Sequence, residues 1–113
     1  MEELTIQRIP FTKDADNKLR SLKARTGITP NILCRIGFCM SLELPTEPND
    51  VSEAEKGREI NRFTLFGEYE SCFLAMLAIW KKKKGSTCSL DELLIRHMNR
   101  GATSIAQSIH LFK

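Results

Sequence analysis

"LKARTGITPNILCRIGFCMSLE", residues 22–43, reads as the end of one helix and the start of another with a three-residue break between them. Gly27 suits the left-handed position that terminates a helix. Thr29 then offers an N-cap, and Pro30 stands at the first helical position, where its missing amide hydrogen costs nothing. Upstream, "TKDADNKLRSLKARTG" places Ala15, Leu19 and Leu22 at i, i+4 and i+7, with Asp14 and Asp16 near the start and Lys23 and Arg25 near the end. That pattern predicts an amphipathic helix, capped by Thr12, whose charges match its dipole. Downstream, residues 32–42 are apolar nearly all round, broken chiefly by Arg35 and Ser41, as in a helix buried on most sides. A chain of 113 residues has room for one domain, so part of that apolar surface is expected to meet another subunit.

Outward from this pair, "LTIQRIPF" (residues 4–11) predicts a short strand. A lone strand leaves backbone groups unmatched, and pairing with a second copy would supply them. Strand, helix, tight turn and helix make a ribbon-helix-helix-like unit. The expected fold is therefore mainly α: a ribbon-helix-helix-like core, formed by the short N-terminal strand and two helices, with additional C-terminal helices, in an oligomer. One domain spans 1–113.

"PTEPNDVSEAEKG" (45–57) predicts a surface connection, and "REINRFTLFGEYE" (58–70) stays open between an extended segment and a helix entry. Tyr69, Phe73, Leu77 and Trp80 recur at four, four and three residues, predicting a third helix over 68–84 that stops at Gly85. Ser89 with Glu92 forms an S-x-x-E capping box for a fourth, which Gly101 is expected to end. A short final helix over 103–111 is an open alternative.

Hydrophobic (42%) and charged (27%) fractions are those of an ordinary globular protein rather than a disordered one. The apolar run from Phe73 to Trp80 is far below the roughly 20 residues of a bilayer span, and the acidic start lacks the features of a secretory signal. A cytoplasmic protein without membrane contact is expected. Cys34, Cys39, Cys72 and Cys88 form no C-x-x-C pair, and only His97 and His110 are at hand to complete a metal site, so no metal or other cofactor is expected. Cys34, Cys39 and Cys72 read as small hydrophobes in apolar helices.

Net charge is +3, distributed basic, acidic, basic along the chain: seven Lys/Arg against four Asp/Glu in 1–40, three against eight in 41–70, seven against two in 71–113. Such asymmetry fits a nucleic-acid face or complementary patches between subunits. The sharpest feature is "WKKKKG", 80–85. One or two lysines would satisfy the carbonyl end of a helix, but four in succession splay around the whole circumference, at about 100° per residue. A phosphate partner and a solvated helix end stand as equal readings of the run Lys81, Lys82, Lys83, Lys84.

Lys18, Arg20, Lys23 and Arg25 flank the stripe of the first helix and are either phosphate contacts or a solvated face. Trp80 has the spacing of a core residue rather than of a base-stacking platform. Arg35, alone on an apolar helix, needs a carboxylate, a carbonyl or an anion, and a structural ion pair is the favoured reading. His97 reads as packed. No phosphate loop, metalloprotease signature or nucleophile motif is present, so an enzyme is the minority expectation.

The stretches "LRSLKARTGITPNILCRIGFCMSLE", "EINRFTLFGEYESCFLAML" and "RHMNRGATSIA", in that order, resemble the DndE family of bacterial DNA sulfur-modification proteins. The first is the most specific; the lysine run is no family signature. The resemblance implies a role in DNA phosphorothioation, in which sulfur replaces a non-bridging phosphate oxygen. It implies a DNA-binding, homo-oligomeric component rather than the sulfur donor, with a cysteine desulfurase, an iron-sulfur protein and an ATPase as pathway partners.

On this reading Lys81–Lys84, with Lys18, Lys23 and Arg25, grip double-stranded DNA without reading bases, with a preference for nicked duplex as a further expectation and a tetramer ahead of a dimer. Three alternatives stay open. The acidic segment 43–70 would dock the other sulfur-modification proteins, Cys88 would carry sulfur, or Thr5, Gln7 and Arg8 on paired strands would read bases as in a repressor.

Overall fold

The computed structural model describes residues 2–108. Strand β1 (Arg8–Thr12) leads into helix α1 (Lys13–Thr26), and after the Gly27 break comes α2 (Pro30–Glu43). A long connection reaches β2 (Lys56–Asn61), followed by a short helix α3 (Arg62–Phe66) and a 3-10 turn (Gly67–Tyr69). Helices α4 (Glu70–Lys84) and α5 (Leu90–Gln107) complete the order. The mainly helical expectation holds, and the open segment 58–70 resolves into a strand followed by a short helix.

The helix ends follow the chemistry of their residues. Thr12 accepts the Ala15 N–H at 3.0 Å, and Gly27, at φ 76°, donates its N–H to the Lys23 carbonyl. Thr29 sits at the N-cap of α2 with Pro30 behind it, although its hydroxyl turns to Asn31 Oδ1 and caps nothing. Ser89 accepts the Glu92 N–H at 3.1 Å.

β1 departs from the sequence expectation, because it finds its partner within the chain. It pairs antiparallel with β2, Ile9 opposite Ile60 and Pro10 opposite Glu59, with a register shift between Pro10 and Thr12. The other edge is also taken: Asn99 of α5, 5% exposed, accepts the Thr12 N–H at 2.8 Å and donates to the Pro10 carbonyl at 3.1 Å. Pairing of this strand with a second chain, the premise of a ribbon-helix-helix core, therefore has no unmatched edge at Pro10 and Thr12 to serve. Residues 4–7, expected in the strand, lie outside it.

Gly101 does not end α5, which runs through it to Gln107 as one helix; residues 109–111 of the alternative final helix lie outside the described residues. Its missing side chain serves packing instead. A Cβ on Gly101 would lie 2.5 Å from the Gly37 carbonyl carbon, and one on Gly37 would lie 2.5 Å from the Gly101 carbonyl oxygen. Helices α2 and α5 thus touch backbone to backbone, closer than any side chain permits. Around this contact the core gathers Leu33, Phe38, Leu94, Met98 and Ile105, with Phe38 meeting Phe66 and Phe73 edge to face at 6.4 and 5.8 Å.

Gly101→Ala is expected to lower stability by about 1–3 kcal/mol in denaturant unfolding, although alanine favours an isolated helix by about 1 kcal/mol. Unchanged or raised stability would contradict the backbone contact. Asn99→Leu, which strands the Thr12 N–H and the Pro10 carbonyl, should cost about 2–4 kcal/mol in the same assay. Asn99→Asp keeps the acceptor but loses the donor, and it should fail to restore the wild-type midpoint.

Candidate nucleic-acid interface

The lysine run occupies the last turn of α4, and the residue before it fixes that turn to the core. Trp80 is 5% exposed and meets His97 of α5 edge to face at 4.5 Å, which settles it as a packing residue. His97 is fully buried. Arg100 Nε donates to Ser41 Oγ at 2.8 Å, and Ser41 Oγ lies 2.8 Å from His97 Nδ1. The guanidinium can only donate, so Ser41 Oγ accepts from Arg100 and keeps its own proton available for an unprotonated Nδ1. Burial first, and then the Arg100 charge, push the imidazole down to about 3. Arg100 also donates to the Ser41 and Thr46 carbonyls at 2.7 and 2.8 Å, tying the connection after α2 to α5.

On this mount the four lysines differ. Lys81 Nζ lies 2.6 Å from Glu2 Oε1. Lys84 Nζ donates to the Pro45 carbonyl at 3.3 Å. Lys82 and Lys83 are exposed and, among the described residues, have neither ion-pair nor hydrogen-bond partner. Gly85, at φ 64°, closes the helix by donating to the Lys81 and Lys82 carbonyls. A concentrated cation cluster thus stands at the end of a helix whose last buried residue, Trp80, packs against α5.

The basic residues of α1 stand elsewhere. Lys18 pairs with Asp14, and Arg20 Nε lies 3.1 Å from Asp16 Oδ1. Asp16 is buried, which pushes its carboxyl up, but the hydrogen bonds from Arg20 and the Arg58 N–H, with both guanidinium charges, hold it below its ordinary value. Lys23 and Arg25 remain exposed without a partner among the described residues. They adjoin the start of α2, whereas Lys84 touches Pro45 just past its end. The two groups thus lie toward opposite ends of α2, whose 14 residues span about 20 Å.

Other sequence candidates resolve by their contacts. Arg35 finds no carboxylate among the described residues: its Nε donates to the Leu65 carbonyl at 2.7 Å, and its guanidinium stands 5.8 Å from the Tyr69 ring centre, so a carbonyl and an aromatic face stand where an ion pair was expected. Thr5 is bound to Asp91 and Arg8 to Glu59, which occupies two of the three supposed base readers. In the acidic segment Glu55, Glu59 and Glu70 pair with Lys13, Arg8 and Arg62 of the same chain.

Burial pushes the Cys34 thiol up to about 12 and raises that of Cys39, whereas Cys72 is exposed, contrary to its reading as a core residue. Cys88 Sγ lies 3.8 Å from Glu47 Oε1, beside a carboxylate rather than the cation that activates a thiol. Among the described residues no three His, Cys, Asp or Glu side chains gather as a metal site would require, and no helix is long and apolar enough to cross a membrane.

Residues 8–112 match the model of a family described as DNA sulphur modification protein DndE. The chain belongs to the DndE family. The fold agrees with that membership. The crystal structure of DndE from Escherichia coli B7A, involved in DNA phosphorothioation modification, matches with a TM-score of 0.70 and 21% identity, over 91% of this chain and 99% of that one. A DndE mutant carrying glycine-to-lysine changes, likewise involved in DNA phosphorothioation, matches with a TM-score of 0.66 and 19% identity over the same shares. No curated protein sequence matches the chain.

The packing beneath the lysine run should register pH. Folded His97 binds its proton less readily than the unfolded chain, at about 3 against 6.5. Its contribution to stability is therefore complete above pH 6.5 and is lost progressively as pH falls toward 3. Unfolding free energy should drop by about 2 kcal/mol between pH 7 and pH 5, and His97→Gln should flatten the slope. A slope that survives this substitution would place its origin in another group.

Proposed function

We propose that this DndE-family chain is a non-enzymatic, cytoplasmic DNA-binding component of phosphorothioation, gripping backbone phosphates through Lys81–Lys84 without reading bases. The observation that carries this reading is the exposed lysine cluster on a helix end locked to the core by Trp80. Ammonium groups on flexible stems suit phosphates, whereas base readout calls for Asn, Gln or Arg side chains presented along one groove-entering element. Lys23 and Arg25 form a second contact. The span of α2, about 20 Å, corresponds to about 6 base pairs of duplex. Lys18, drawn to Asp14, is the weakest member of the set.

The chemistry of the pathway supports a preference for nicked duplex, because exchanging a non-bridging oxygen is eased by opening the backbone. Four lysines on a rigid end suit phosphates on either side of a break. The active form is a homo-oligomer, a tetramer ahead of a dimer, working with the other sulfur-modification proteins. In support, α2 exposes Ile32 and Ile36, α3 exposes Phe63 at 77%, and α4 exposes Cys72 and Ile79 at 58%, more apolar surface on neighbouring elements than one small core absorbs.

Anisotropy titrations with matched intact and nicked duplexes across a salt series test the grip. Replacing Lys81–Lys84 by alanine should flatten the log–log salt slope by about 3 to 4. An unchanged slope would remove the lysine run from the interface, and equal affinity for both duplexes would remove the nick preference. Light scattering on wild type and Phe63→Glu/Ile79→Glu should show a larger assembly that dissociates in the variant; a monomeric wild type would overturn the oligomer.

A further inference from the structure

The segment ahead of β1 lies across the end of α4 that carries the lysines. Its middle is fixed: Asp91 accepts the Thr5 N–H at 2.8 Å and the Ile6 N–H at 3.4 Å, and Arg62 Nη1 donates to the Leu4 and Ile6 carbonyls at 3.2 and 2.9 Å. From this anchor Glu2 reaches a point where two donors converge. Its Oε1 lies 2.6 Å from Lys81 Nζ, and its Oε2 accepts the Leu90 N–H, the first of helix α5, at 2.7 Å. A cleft of about 360 Å³ opens beside the carboxylate, lined by Ala78, Lys81, Lys82, Gly85, Ser86 and Leu90.

An ammonium group and a helix N-terminal amide, each holding one oxygen of the same anion, also match what a phosphate diester offers. We infer that Glu2 is a tethered phosphate mimic: it occupies the position of a DNA phosphate on Lys81 and the start of α5, and the backbone must displace it to engage the whole lysine run. Residues 4–6 stay anchored during the exchange, so the displaced carboxylate remains close by and competes at a high effective concentration. Contacts that fail to evict Glu2 are thereby weakened, while a phosphate array that engages several lysines at once overcomes it. Asp91, the next acid, is held by Thr5 and Ile6 and plays no part in the exchange.

This inference rests on the lysine-run reading above. Glu3 supplies the control, being exposed one residue away with the same charge and no hydrogen bond or ion pair among the described residues. Wild type, Glu2→Ala, Glu3→Ala, Lys81→Ala and Glu2→Ala/Lys81→Ala are titrated with a short fluorescent duplex at fixed salt. Glu2→Ala should tighten binding about 3- to 10-fold, as expected on removing a tethered competitor, with Glu3→Ala changing it less than about 2-fold. In the Lys81→Ala background the gain should vanish. Equal effects at Glu2 and Glu3, or a gain that persists without Lys81, would overturn the mimic and leave the lysine grip standing. Absence of duplex binding in every protein, wild type included, would overturn both.

Discussion

Contact between the backbones of Gly37 and Gly101 sets the frame on which everything else hangs. With α2 and α5 so close, each residue on the flanks of α5 has a defined neighbour. Asn99 meets the outer edge of β1, Arg100 holds the connection after α2, and His97 faces both Ser41 and Trp80. The start of the same helix presents the Leu90 N–H to Glu2. Separating α2 from α5 by the width of one methyl group would move all of these together, which is why two small residues outweigh many larger ones in this core.

Features carried by neighbouring residues are legible in the sequence. Thr12, Gly27, Pro30 and Ser89 mark helix ends because their effect is exerted within one turn, and the spacing of Phe73, Leu77 and Trp80 shows which face of α4 is buried. What escapes the sequence is long-range. β2 carries Gly57, Arg58 and Glu59 within a polar stretch, and nothing local shows that it pairs with β1, some fifty residues earlier, so the first strand looks partnerless.

Gly101 imitates a helix stop because a glycine needed for close approach and one needed for a left-handed turn are the same letter; only the position of Gly37 distinguishes them. The candidate site is divided in the same way. Lysine content and helix-end placement are visible in "WKKKKG", whereas the engagement of Lys81 by Glu2, the reach of Lys84 to Pro45, and the distance of Lys23 and Arg25 from the run depend on how distant segments meet.

Membership of the DndE family places the chain in DNA sulphur modification; the grip proposed for it rests on a lysine cluster at the end of α4, one member of which pairs with an acid of the same chain. The most direct test is a backbone-amide NMR titration with a short nicked duplex. The largest shifts are expected at residues 81–86 and at the Leu90 amide, with smaller ones near Lys23 and Arg25. Shifts concentrated on the exposed apolar residues of α2 and α4, with 81–90 unmoved, would contradict it.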